Sequence, residues 1–215
     1  MEDTIHHKQL RSSLVISLAG KGINNEKVLK AIEKVPRHLF LDDEETAGEA
    51  YRDVPLSIGS GQTISQPFTV AYQTQLLDPH PHEKILEIGS GSGYQAAVLF
   101  ELWADIYTIE RQKKLYSATK LRLAQLGYAQ IHMFYGDGNK GLPDHAPFDK
   151  VIVTAAAPGI PAALVDQLKV GGIMVIPVDG QIQKMLKVTR ISATETTIQE
   201  FDDFRFVPLL EGTAG

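Results

Sequence analysis

The chain is predicted to be α/β: a doubly wound, mostly parallel sheet with an antiparallel C-terminal edge and an N-terminal helical addition. Three observations predict it. From Lys84 to Val178 strand patterns alternate with helical ones, which requires a parallel sheet with crossover helices on both faces. The stretch KILEIGSGSGYQAA, Lys84 to Ala97, runs from an apolar strand through a glycine turn into a helix. After Val178 two strand patterns follow one another with no helix between them, as an antiparallel edge requires.

The elements follow in order, and residues 1–215 are expected to form a single domain. Residues 1–50 read as the helical addition: Gln9 to Leu18 is amphipathic, Asn25 is placed to cap Glu26 to Lys34, and Pro36 stops that run. Residues 51–83 hold YRDVPLSIGSGQTISQP and then a helical pattern from Gln66 to Leu77, with Pro67 tolerated in its first turn and Ser65 placed as its N-cap. Residues 84–179 carry strands at Ala104 to Glu110, Ile131 to Tyr135 and Asp149 to Thr154, beside helices at Gln112 to Leu126, closed by Gly127, and at Ile160 to Leu168 before Gly171-Gly172. Residues 180–215 supply strands Lys184 to Ile191 and Thr197 to Val207, turning near Ser192 to Glu195. No repeat, low-complexity tract or long linker interrupts them.

Composition narrows the class of function. With 43% hydrophobic residues the chain can bury a substantial core, and no stretch is long and apolar enough to span a membrane. The start, MEDTIHHKQL, has neither a basic region nor an apolar signal core, so a cytoplasmic location is expected. Zero cysteines exclude disulfides, thiolate metal sites and cysteine nucleophiles. A net charge of −5 gives no overall basis for nucleic-acid binding, and Arg111 to Lys114 with Lys120 and Arg122 read as a solvated helix face. His80 and His82 are flanked by prolines and lack ligand spacing, so they read as a loop, and no metal is expected.

Gly89, Gly91 and Gly93 alternate after an acidic strand end, a pattern that lets a ligand lie against bare main chain near a helix N-terminus with free N–H groups. The dinucleotide fingerprint needs a glycine where Tyr94 stands, so that reading fails. With Glu87 the pattern becomes E-x-G-x-G-x-G, which resembles motif I of class I S-adenosylmethionine-dependent methyltransferases, Rossmann-like in fold. Glu110 ends the second strand at the distance where a carboxylate grips ribose hydroxyls, or it is an ordinary first-turn helix acid. Asp137, in Gly136-Asp137-Gly138, could accept from the exocyclic amine of adenine, or GDG is a plain turn. Four strand ends carrying small or acidic residues on one side make a composite pocket. Ser65 likewise has two readings, helix capping and substrate contact, and they are compatible because a helix N-terminus with a hydroxyl receives a carboxylate well.

VPRHLF at 35–40, PLSIGSGQTISQP, ILEIGSGSGYQAAVL and the final VPLLEG at 207–212 together resemble the protein-L-isoaspartate O-methyltransferase family over nearly the whole chain. The resemblance implies repair of damaged proteins and peptides by methylation of the α-carboxylate of L-isoaspartyl residues, using S-adenosylmethionine and releasing S-adenosylhomocysteine. It implies Ser65 as the active-site serine. It implies cofactor contacts from Gln62, Thr63, Ile64 and Ser65, from Glu87, Gly89, Ser90, Gly91 and Gly93, and from Glu110, Asp137 and Gly138. Ser90 stands where many relatives have threonine. A backbone-type carboxylate, with pKa near 3.5, is ionised at neutral pH and needs no general base. Methyltransferases of amino groups on bases often carry Asn/Asp-Pro-Pro-aromatic after the fourth strand, where this chain has Thr154-Ala155-Ala156-Ala157-Pro158. Isoaspartyl proteins and peptides are the expected partners, with no nucleic acid or membrane and a monomeric state. A methyltransferase of another carboxylate or of nucleic acid, and a noncatalytic cofactor-binding module, are the competing readings.

Overall fold

The structure is a computed structural model and describes residues 2–215. Helix α1 spans Ile5–Gly20 and α2 spans Glu26–Lys34. Helix α1 begins before the amphipathic pattern because Thr4 caps it: its hydroxyl accepts from the His7 N–H while the His7 ring accepts from the Thr4 N–H. Asn25 caps α2 as its sequence predicts, accepting from Lys27 and Val28. A 3-10 turn at Arg37–Phe40 and α3 (Glu44–Gly48) lead to strands β1 (Leu56–Ser57) and β2 (Thr63–Ile64). These two pair antiparallel, and the hairpin tip holds Gly59, Ser60 and Gly61 at positive φ. Helix α4 follows over Pro67–Leu77.

The main sheet has seven strands. They are β3 (Lys84–Ile88), β4 (Asp105–Glu110), β5 (His132–Tyr135), β6 (Phe148–Val153), β7 (Leu168–Val178), β8 (Gln183–Arg190) and β9 (Thr196–Phe204), in the spatial order β5-β4-β3-β6-β7-β8-β9. Strands β3 to β7 pair in parallel, and β8 and β9 reverse to give the antiparallel edge. Helices α5 (Tyr94–Phe100), α6 (Lys113–Gln125) and α7 (Ala162–Asp166) are the crossovers. The order turns back between β3 and β6, which opens a crevice at the carboxyl ends of the strands.

The helix expected at Ile160 to Leu168 is shorter, and Leu168 already belongs to β7. Gly171 and Gly172 do not end a helix; they form an irregularity in β7, where the register against β6 shifts between Phe148 and Lys150. A Cβ on Gly172 would lie 2.8 Å from the Lys169 carbonyl and 3.0 Å from that of Asp149, so only glycine permits this approach.

Alternation along the buried strands divides the core. Ile85, Ile106, Ile152 and Val175 face one cluster that also takes Leu18, Ile32, Val70, Ala97 and Leu123. The N-terminal addition thus shares its core with α4, α5 and α6. Leu86, Ile88, Val151, Val153 and Ile176 face the other cluster, with Leu164 of α7. Each fully buried aliphatic side chain contributes about 1.5–3 kcal/mol. Among the described residues no helix is long and apolar enough to cross a membrane.

Candidate active site

The glycine turn is held to the sheet by its own main chain. Gly89 N–H and Ser90 N–H both donate to the Ile109 carbonyl, at 2.9 and 3.2 Å. Gly93 N–H donates to the Ser90 carbonyl at 2.7 Å, and Gly91 N–H donates to Glu110 Oε2 at 2.9 Å. These N–H groups of the turn itself are therefore engaged within the chain, while at the start of α5, among the described residues, only the Tyr94 N–H finds a partner, the Ser92 hydroxyl at 3.3 Å. Gly89 is required because a Cβ there would stand 2.6 Å from Thr154 Oγ1, whose hydroxyl donates at 2.8 Å to the Gly89 carbonyl. Gly93, at φ +88°, faces Thr119 and Leu123 of α6, so packing rather than ligand access demands glycine there.

Glu110 is buried at the end of β4, its Oε1 accepting from Gln112 N–H at 2.8 Å and its Oε2 from Gly91. One carboxylate thus ties the second strand end to the turn after the first. Glu87 lies behind the turn, not on the cavity wall. It is fully buried and hydrogen-bonded to the Thr108 hydroxyl, which in turn shares a hydrogen bond with the Ser90 hydroxyl at 2.7 Å. Burial, with the neighbouring Glu110 charge, pushes the Glu87 carboxyl up to about 8 against the Thr108 hydrogen bond. Asp137 also lies off the wall, its Oδ1 accepting from the Asn139 N–H at 3.0 Å as the cap of a short 3-10 turn. Burial works to raise its pKa, but donors from Gly212 and Asn139 outweigh this and hold it below the usual carboxylate range. Asp137 Oδ1 thus serves the GDG turn, and Gly138 beside it reaches the cavity.

The cavity is a cleft open to solvent, spanning about 790 Å³ when the solvent in its mouth is counted. Of the residues singled out in the sequence it brings together Gln62, Thr63, Ile64 and Ser65 on one side, and Gly89, Ser90, Gly91, Glu110 and Gly138 on the other. Glu87, Gly93 and Asp137 stay outside it. Further lining comes from Thr154, at the fourth of the strand ends expected to form the pocket, from Tyr94 and Gln95 of α5, and from the tail residues Val207 to Leu210, which sequence reasoning did not single out as site residues. The tail is held there by Ala156 N–H donating to the Val207 carbonyl at 2.8 Å and Leu209 N–H donating to the Ala156 carbonyl at 2.7 Å. VPLLEG was visible as a family likeness only, because its docking on the end of β6 is a long-range contact.

Ser65 does not cap α4. The N-cap position belongs to Gln66, which makes no side-chain capping bond, and the Phe68 N–H is taken instead by Asp53 Oδ1 at 2.8 Å. Among the described residues neither the Ser65 nor the Thr63 hydroxyl has a hydrogen-bond partner. A second cavity, lined by Phe68, Phe204 and Phe206 with Asp202, Asp203 and Arg205, shares Thr63, Ser65, Thr154 and Val207 with the first. Asp3, His7 and His38 bring ligand-type atoms within 4.8 Å of one another, but both Asp3 oxygens hold Arg11 and the two imidazoles are stacked at 3.8 Å. That cluster is a structural tie across the N-terminal addition.

The first cavity has apolar walls at Ile88, Ile109 and Leu209, a buried carboxylate, uncommitted hydroxyls, and an Arg111 guanidinium already donating to the carbonyls of Gly212 and Glu211. Such an acceptor-rich wall fits a nucleoside with free hydroxyls and positive charge. A parallel sheet with reversed last strands, a glycine turn after its first strand and an acid ending its second defines the class I S-adenosylmethionine-dependent methyltransferase fold. Comparison with known proteins narrows the class: the family model for Protein-L-isoaspartate(D-aspartate) O-methyltransferase (PCMT) matches residues 8–214, and the chain belongs to that family. It is 53% identical over 211 residues to the protein-L-isoaspartate O-methyltransferase of Flavobacterium psychrophilum, covering 98% of this chain and 99% of the relative. The corresponding protein of Christiangramia forsetii is 52% identical with the same coverage. A solved protein-L-isoaspartate O-methyltransferase superposes with a TM-score of 0.83 at 25% identity, covering 95% of this chain and 66% of that one. A Plasmodium falciparum structure, described as a complex with S-adenosyl-L-homocysteine, shares the fold at a TM-score of 0.79 and 23% identity, covering 95% of this chain and 98% of that one.

Proposed function

We propose that the chain transfers a methyl group from S-adenosylmethionine to the α-carboxylate of L-isoaspartyl residues in damaged proteins and peptides, with Ser65 orienting the acceptor. The observation that carries this reading is the meeting of two cavities at Ser65: one has the lining a nucleoside cofactor needs, the other is broad and aromatic enough for an extended peptide. Glu110, Ser90 and Gly138, with the main chain at Gly89 and Gly91, would hold the cofactor, and Gln62 to Ser65 would cover it. Glu87, Gly93 and Asp137 would serve the same site from behind, by keeping the turns in shape. When bound, the cofactor supplies an electrophilic methyl group on a sulfonium sulfur.

The four residues common to both cavities, Thr63, Ser65, Thr154 and Val207, include no acid, base or thiol. Such a wall suits an acceptor that is already ionised. Ser65 would donate a hydrogen bond to one oxygen of the acceptor carboxylate and leave the other free to accept the methyl group. It forms no covalent bond. Positioning in line and exclusion of water supply several kcal/mol of rate. After esterification the neighbouring backbone nitrogen closes a succinimide with loss of methanol, and hydrolysis returns part of it to normal aspartate.

In this reading the 215 residues work as one domain, as a monomer in the cytoplasm and without nucleic acid, in keeping with the net charge of −5. The deciding experiment compares methyl transfer to an isoaspartyl peptide, its normal aspartyl twin and RNA. Only the isoaspartyl peptide is expected to be labelled; equal labelling of the two peptides overturns the assignment.

A further inference from the structure

We propose that Asp53 is a positioning residue for methyl transfer: it caps α4 from a distance and so leaves the Ser65 hydroxyl free for the acceptor, an inference that rests on Ser65 orienting that acceptor. A helix start normally consumes the hydroxyl of a serine beside it, since the N2 and N3 N–H groups need partners. Here Pro67 has no N–H to satisfy, and the next donor, Phe68, is taken by Asp53 Oδ1 at 2.8 Å. A carboxylate suits this place better than a hydroxyl because it also meets the positive end of the helix dipole.

Asp53 is itself held. Its Oδ2 accepts from Lys21 Nζ at 2.5 Å, and its side chain is only 11% exposed. Lys21 is the residue that ends α1, so the N-terminal addition anchors the group that anchors α4. The guanidinium of Arg37, fully buried with its charge in the field of Asp53, lies 4.9 Å over the ring of Tyr94, which lines the cofactor cavity. The bond from Phe68 to Asp53 closes the chain across 15 residues, bringing together the two ends of the segment that carries β1, β2 and Ser65. One carboxylate therefore fixes where that segment sits and spares its serine.

The test is a double-mutant cycle on turnover of an isoaspartyl peptide, using Asp53→Ala, Ser65→Ala and the double variant, with Asp53→Asn as the conservative control. Asp53→Ala is expected to lower kcat roughly tenfold, and Asp53→Asn, which keeps the acceptor oxygen, to restore it to within about twofold. The double variant is expected to be no slower than Ser65→Ala alone, because the part of the machinery that Asp53 serves is already missing. Effects that multiply while Ser65→Ala is impaired overturn the role of Asp53 and leave that of Ser65 standing, as does an Asp53→Ala protein that melts earlier but keeps its kcat. Ser65→Ala at wild-type kcat overturns both. If Asp53→Ala does not fold, Asp53→Glu, which displaces the acceptor by one methylene, takes its place in the cycle with the same expectations.

Discussion

At the scale of single residues, in the proposed reading, Ser65 and Glu110 divide the work of the site. Ser65 is half-buried on the wall common to both cavities, and its hydroxyl is uncommitted among the described residues. Ser65→Ala is therefore expected to lower kcat by about one to two orders of magnitude while S-adenosylhomocysteine affinity, measured by calorimetry, changes only a few-fold. A collapse of cofactor affinity in that variant would mean that the serine serves the fold. Glu110 accepts from Gly91 and Gln112 and faces the cavity with its remaining lone pairs. Glu110→Ala removes a charged acceptor and should weaken the cofactor about 10- to 100-fold; unchanged affinity in the same calorimetric titration rejects the ribose role. Both residues were legible in the sequence as types at strand and loop ends. Glu87 and Asp137 were equally legible, but nothing local distinguishes an acid that faces a cavity from one that stands behind it.

Whole elements explain why the glycines are where they are. The turn after β3 was readable from its alternation, yet its glycines serve different neighbours: Gly89 admits Thr154 and Gly93 admits α6. Gly93→Ala combines a disfavoured φ of +88° with a Cβ only 2.9 Å from Thr119 Cγ2. Such a change should cost about 1–3 kcal/mol in urea denaturation. A midpoint equal to wild type would show that α6 moves aside freely. Helix α2 followed its local signals from cap to stop, because Asn25 and Pro36 act within a few residues. Helix α4 broke its own apparent rule, since the group that caps it lies 15 residues upstream. The 171–172 glycine pair misled for the same reason: a strand irregularity and a helix end use glycine for similar backbone freedom, and only the facing strand tells them apart.

On the scale of the whole molecule, the sheet stacks its charges and cores so that one buried acid links stability to pH. Glu87 has a folded pKa of about 8 against an ordinary 4.5, so between those values the folded protein keeps a proton that the unfolded chain has released. Its contribution is fully present below about 4.5 and is lost as pH rises toward about 8. Glu87→Gln removes that titration, and its stability relative to wild type should grow steadily from about pH 5 to 8 in urea melts. A constant difference across the window would place the Glu87 pKa elsewhere. The same long-range architecture brings the C-terminal tail onto the end of β6 and the N-terminal addition against α4, so that in the proposed reading residues 21, 53, 65 and 207 serve one reaction.

Fold class, the glycine turn and the family likeness are readable from the chain alone, because periodicity, glycine alternation and the TISQP run are local and survive without neighbours. Tertiary structure alone decided which acids reach the cavity, that the tail forms a wall, and that Ser65 is free while Asp53 does the capping. Those facts depend on hydrogen bonds and contacts between residues far apart in the chain, whose partners are chosen by burial and packing rather than by spacing.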